Sequence, residues 1–321
     1  MKIGVFTTLL SNLPFEEALK YFKSLDIEMV EIGCGGYPGN AHADPERLLS
    51  DPGELENFKS LIKNYDVEIS ALSCHGNPVH PQKDTAKEFD TVIRNTILLA
   101  EKLGIHQINT FSGCPGDYED AKYPNWVTCP WPDDFGKILD WQWNEVLIPY
   151  WKDTVKFAKD HGVDKIAFEL HPGFCVYNTD SLLKIRNAVG PEIGANFDPS
   201  HLIWQGMEPV AVIRALGDAI FHFHAKDTKV DKYNTAVNGV LDVKPYSDEI
   251  NRSWIFRSLG YGNDYSYWKD MISNLRLVGY DYALSIEHED SLMSQGEGLE
   301  TAVKFLKDVI IRESPAEMWW A

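Results

Sequence analysis

The chain has 321 residues, 44% hydrophobic and 24% charged, with a formal net charge of −18. That apolar content is ample for a large core, while so acidic a surface, with no long run of Lys and Arg, excludes nucleic acid and anionic membrane as general partners. The cysteines (Cys34, Cys74, Cys114, Cys129, Cys175) are five in number and form no CxxC pair; with a start, MKIGVFTT, that reads as a strand and not a signal peptide, they predict a reduced, soluble, cytoplasmic chain without a membrane span.

Short β-branched or apolar runs recur along the chain. They fall near 2–8 (KIGVFTT), 29–33 (MVEIG), 67–75 (VEISALSCH) and 106–113 (HQINTFSG). Four more follow near 165–171 (KIAFELH), 193–198 (IGANFD), 220–227 (IFHFHAKD) and 282–290 (YALSIEHED). Amphipathic helical segments lie between them: FEEALKYFKSL from Phe15, DTAKEFDTVIRNTILLAEKLG from Asp84 and NEVLIPYWKDTVKFAKDHG from Asn144. The last two end in Gly just before the next strand, a helix stop signal. Asp180, Glu208 and Tyr265 mark later helix starts, and GLETAVKFLKDVIIRE closes the chain. Strand then helix, eight times without a composition break, predicts one (β/α)₈ TIM barrel over residues 1–321. A doubly wound open sheet is the alternative, disfavoured because no GxGxxG or GxxxxGK[ST] follows the first strand. Two connections exceed simple turns, near 114–140 after strand four and 228–264 after strand seven, and both belong at the C-terminal mouth, where barrels keep substrate-covering loops.

The period of two along a strand sorts its side chains. In KIAFEL, Ile166, Phe168 and Leu170 face the helices, leaving Ala167, Glu169 and His171 inside. In IGANFD the interior pair is Asn196 and Asp198; in IFHFHA it is His222 and His224. In YALSIE, Leu284 and Ile286 face out, leaving Ala283, Ser285 and Glu287 inside, with Glu289 further along the same face. Four consecutive strands therefore aim an ionisable residue into the mouth: Glu169, Asp198, His224 and Glu287. Three carboxylates and one imidazole converging there repel unless a cation sits between them. The donor set has no thiolate and suits Mn²⁺ best, with Mg²⁺, Co²⁺, Fe²⁺ or Zn²⁺ as alternatives. His222 reads as a packed histidine lower in the barrel, His75 as a residue at the third strand's end near substrate, and His161 as a helix-end cation.

The strand-end motifs ELHPG (169–173), NFDPSH (196–201), HFHAKD (222–227) and SIEHED (285–290) resemble the xylose isomerase-like TIM barrels. More narrowly, they resemble the sugar phosphate isomerase/epimerase group that includes D-tagatose 3-epimerase-like enzymes and inosose dehydratases. The resemblance implies one divalent metal, often manganese, held by Glu169, Asp198, His224 and Glu287. It also implies a substrate contact for His201, returned to the mouth three residues after Asp198. The epimerases carry a second glutamate several residues after the first ligand; here LHPGFCVYN follows Glu169, and His171 lies two residues on. That ExH pattern resembles a branch acting on 3-oxo-glycosides, including C-glycoside deglycosidase catalytic subunits.

The chemistry the resemblance implies is proton removal next to a carbonyl, through an enediolate. In a sugar isomerase or epimerase Glu169 and Glu287 flank the substrate and exchange the proton. In a lyase acting by β-elimination on 3-oxo-glycosides or inososes, His171 is the base, its ordinary pKa being near neutrality. Lys226 is a candidate for orienting substrate, Arg252 or Arg257 for binding hydroxyls or phosphate, and Trp126, Trp131 and Trp254 for stacking on a sugar or anchoring a lid. A homo-oligomer is expected, with Trp319 and Trp320 as a contact anchor, and the deglycosidase resemblance adds a small partner subunit. A zinc phosphodiesterase on the same fold is disfavoured by the acidic charge, and a non-catalytic binding protein by the complete quartet.

Overall fold

The computed structural model describes residues 1–313, 317, 318 and 320. Trp319 lies outside the described residues, and Trp320 is mostly exposed. Eight parallel strands close into a barrel: β1 (Lys2–Phe6), β2 (Met29–Gly33), β3 (Glu68–Ser73), β4 (Gln107–Thr110), β5 (Lys165–Glu169), β6 (Ile193–Phe197), β7 (Ile220–Ala225) and β10 (Ala283–Ile286). Each neighbours the next in sequence, and β10 returns to β1 to complete the ring. Helices follow the strands and cover the outside, so the eight segments read from the sequence are the eight barrel strands.

The alternation along each strand explains the two-layer core. Ile166, Phe168, Phe197, Phe223, Leu284 and Ile286 turn outward and are buried beneath helices. The helix Lys83–Leu103 stops where Gly104 takes φ 70°, a left-handed conformation that costs glycine little. The segment expected to start at Asn144 begins earlier, at Asp133–Trp141, passes through a wider turn at Gln142–Leu147, and resumes as Ile148–Asp160. Pro149, which has no N–H to donate, sits at the start of the resumed helix.

The segment after β7 has more structure than a loop. Strand β8 (Asp227–Val230) pairs antiparallel with β9 (Trp254–Arg257), with a short helix, Lys232–Asn238, between them. Asp227 fixes this excursion to the barrel. One of its carboxylate oxygens accepts from the backbone N–H groups of Gly260, Gly262 and Asn263, the other from the Asn263 side chain at 2.7 Å. Trp254 stacks on Trp204 at 4.4 Å, and buried Arg252 packs against both the Tyr246 and Trp254 rings, so this aromatic cluster holds the excursion together.

Candidate metal centre at the barrel mouth

The register builds the centre. Glu169 on β5 lies beside Asn196 on β6, Asn196 beside His222 on β7, and His224 beside Ser285 on β10. The stagger of a closed barrel then lifts the next inward residues, Asp198, His224 and Glu287, to the level of Glu169. Ligand atoms of Glu169, Asp198, His224 and Glu287 all lie within 4.8 Å of one another. Three of them are fully or nearly fully buried, and Glu287 faces the opening.

Asp198 divides the work of its two carboxylate oxygens. Asp198 caps the helix Pro199–Trp204, and its Oδ1 accepts from the Ser200 N–H at 2.8 Å. Its Oδ2 is buried and accepts no hydrogen bond; its neighbours are the Lys226 ammonium at 3.0 Å and His201 Nε2 at 3.5 Å. His224 turns Nδ1 toward Glu287 Oε2 at 2.9 Å and Glu169 Oε2 at 3.6 Å. A carboxylate oxygen met only by charged neighbours, two further carboxylates and an imidazole nitrogen aimed at one point fit a divalent cation with mixed oxygen and nitrogen donors.

Buried Lys226 balances part of the negative charge. Its Nζ lies 3.0 Å from Glu287, 3.1 Å from Glu289 and 3.4 Å from His201 Nε2, and 4.7 Å above the Phe256 ring. Burial alone would raise the Glu287 pKa, but Lys226 and His224 hold it down to about 2. Lys226 itself is driven down by burial and raised further by Asp198, Glu287 and Glu289, so it stays cationic.

The histidines surround Glu169. His75 Nε2 lies 3.1 Å from Oε2 and His201 Nε2 3.1 Å from Oε1. His171 stands one layer further out, its ring 4.0 Å from that of His201 and edge-on to Phe111 at 5.0 Å. Its Nδ1 is 2.6 Å from the Pro172 carbonyl; a carbonyl only accepts, so Nδ1 carries the hydrogen and Nε2 the lone pair. Burial, then the neighbouring His201 ring, pushes His171 down to about 3, and it stands neutral.

Two cavities open here. The inner one, about 250 Å³, is lined by His75, Glu169, Lys226 and Glu287 with Phe6 and Phe111. The outer one, about 330 Å³, is lined by Tyr246, Ile255, Phe256 and Ser291. His171 and Glu289 line both.

Other expected residues lie elsewhere. Arg257 lines neither cavity: its Nε donates to Asp290 at 3.0 Å, and its guanidinium sits over Tyr261. Arg252 donates to the carbonyls of Lys244 and Trp254. Trp254 is buried, Trp131 is exposed, and Trp126 packs against Tyr177 by a separate pocket. His222 is a packed histidine, bonded to Asn196 Oδ1 at 3.0 Å and Ser70 Oγ at 3.1 Å. His161 sits at a helix C-terminus beside Glu101.

The sequence reading missed Glu31. This fully buried carboxylate on β2 lies beneath the quartet, 2.9 Å from His224 Nε2. The signal was present: in MVEIG, Val30 and Ile32 are the outward pair, which leaves Glu31 inside.

Fold and site together define a (β/α)₈ barrel of the kind that gathers carboxylates and a histidine at its C-terminal mouth. The chain belongs to the xylose isomerase-like TIM barrel family, whose model matches residues 19–309. It is 39% identical over 312 residues to the uncharacterized protein YfiH of Bacillus subtilis (strain 168), covering 97% of this chain and 99% of YfiH. A D-tagatose 3-epimerase-like protein superposes with a TM-score of 0.64 at 22% identity, covering 96% of this chain and 98% of that one. The IOLI protein, crystallised with a bound zinc atom, superposes with a TM-score of 0.63 at 19% identity, covering 97% and 98%. At these identities the two structures speak to the fold. The family includes sugar isomerases, epimerases and dehydratases. Among the described residues no helix is long and apolar enough to cross a membrane.

Proposed function

We propose that the chain is a divalent-metal-dependent sugar isomerase or epimerase that moves a proton on carbon next to a carbonyl. The observation that carries this reading is the convergence of Glu169, Asp198, His224 and Glu287 within 4.8 Å at the floor of a polar cavity. These four would hold a divalent cation, manganese in our reading, which would supply a Lewis acid to stabilise the charge that develops on a substrate carbonyl. The rest falls to the chain. Glu169 and Glu287 reach the cavity from β5 and from just beyond β10, placed to remove a proton and return one. His201 and His75 each approach one oxygen of Glu169 and hold its carboxylate in place. Lys226 presents a fixed positive charge to substrate oxygens.

The charges favour a neutral sugar or sugar derivative over a phosphate. Lys226 is already shared among Asp198, Glu287 and Glu289, Arg257 is bound by Asp290, and Arg252 is spent on backbone carbonyls. A phosphate would meet Glu289 without a cation of its own.

A second reading is a β-eliminating lyase on 3-oxo-glycosides or inososes. It is favoured by His171, which presents an unprotonated Nε2 where the inner cavity meets the outer one lined by Tyr246, Ile255 and Phe256. There His171 removes the proton from a sugar seated in the inner cavity, and the leaving group departs into the outer one.

Proton NMR in D₂O tests both. The manganese-loaded chain is incubated with ketoses, inososes and 3-oxo-glucosides, and the metal is stripped before spectra are taken. Deuterium in recovered sugar or its epimer supports the first reading; a released aglycone or unsaturated sugar supports the second. Under the second, His171→Ala lowers turnover by about 10²- to 10⁴-fold with manganese affinity unchanged. No exchange and no release with any of them overturns both.

A further inference from the structure

We propose that Glu31 is a positioning residue that sets the affinity of the mouth for its cation by fixing His224; the inference rests on the metal-centre reading above. Glu31 rises from β2 on the opposite side of the barrel interior from the quartet's strands. Four other strands each send it a donor: Ser73 Oγ from β3, Asn109 Nδ2 from β4 at 2.9 Å, Ser285 Oγ from β10 at 2.7 Å and His224 Nε2 from β7 at 2.9 Å. A carboxylate with no exposed surface and this many donors is held rigidly.

The consequence falls on His224. A carboxylate only accepts, so both ring nitrogens of His224 face acceptors, Nε2 at Glu31 and Nδ1 at Glu287 and Glu169; a cation held at Nδ1 would replace the hydrogen there, and the bond to Glu31 would keep the one on Nε2. A ligating imidazole whose far nitrogen donates to a carboxylate is held in orientation and made a stronger donor. Among the described residues Glu31, His222 and His224 also come close enough to suggest a second cation site. The donors around Glu31 argue against it, and both ring nitrogens of His222 are engaged by Asn196 and Ser70. This lower cluster is a hydrogen-bonded floor.

The test is manganese titration calorimetry on the metal-stripped full chain and on Glu31→Gln, with Glu31→Asp as the charge-retaining variant that draws the carboxylate back. Glu31→Gln is expected to bind manganese about 10- to 100-fold more weakly, with Glu31→Asp between it and the unaltered chain. Proton NMR of the cobalt-loaded chain gives a readout that a packing role would not move. The shifted ring N–H of His224 should persist in water for the unaltered chain and exchange rapidly in Glu31→Gln. Equal manganese affinity with an unchanged N–H resonance overturns the inference, and a lower metal-free melting temperature alone would assign Glu31 to packing. If the unaltered chain takes up no manganese, the functional reading falls first; if it binds and Glu31→Gln binds equally, only this inference falls.

Discussion

The two ends of the barrel differ in how they treat charge. At the N-terminal base a groove of about 600 Å³, larger than either cavity of the mouth, is lined by Ser70, His106, Lys165, Asp218, Tyr280 and Asp281 among others. Its charges are spread out and wet. Asp218 is almost fully exposed beside Arg186, His106 bonds the Gly162 carbonyl, and Asp281 pairs with Arg276 and the chain's amino terminus. At the mouth, by contrast, Glu169, Asp198, His224 and Lys226 are buried and within reach of one another. Exposed ion pairs contribute little to stability, whereas buried like charges are costly unless something binds between them. Space alone therefore does not distinguish the proposed site; the concentration of desolvated charge does, at the end where barrels of this architecture keep their chemistry.

That contrast can be broken in graded ways. The largest effect is expected from Asp198→Asn, Glu169→Gln or His224→Ala, each weakening manganese binding by at least about a hundredfold in calorimetry. Retained affinity in all three would remove the distinction between the ends. A smaller effect should appear in the excursion over the mouth. Burial raises Asp242, but the Lys244 and Ser253 N–H groups and the Lys244 ammonium outweigh it and hold the group at about 2, below its ordinary 3.8. A depressed folded-state pKa contributes stability that is present above the unfolded value and lost as pH falls through the folded one. The urea-unfolding advantage of the chain over Asp242→Asn should therefore shrink between pH 3.8 and about 2; a constant difference would refute the assignment. The smallest effect belongs to the base. Lys165→Ala and Asp218→Ala should each shift unfolding free energy by no more than about 0.5 kcal/mol and leave manganese affinity unchanged. A base variant that weakens metal binding would show the two ends to be coupled.

Much of this was readable from local patterns. Alternation along ELH, NFD, HFH and SIE is a backbone property, so it placed Glu169, Asp198, His224 and Glu287 on one face without knowledge of the fold. What bound Glu31 was not local. Its partners Ser73, Asn109, Ser285 and His224 lie between 42 and 254 residues away in the chain, and only the closed ring brings them together. Arg257 has a partner that is non-local in the same way. Nothing near it in NRSWIFRSLGYG announces that Asp290, 33 residues on, takes its guanidinium. The strand pair within the long connection after β7 is not legible in the sequence, because β8 is four residues long and its partner β9 lies beyond a stretch rich in Asp and Asn.

The most direct measurement is a crystal structure of the manganese-soaked chain, with diffraction collected at an energy where manganese scatters anomalously. The proposed metal centre requires one strong anomalous peak per chain at the mouth, bound by Glu169, Asp198, His224 through Nδ1 and Glu287. No peak, or a peak confined to the base groove or to the floor between Glu31 and His222, would contradict it.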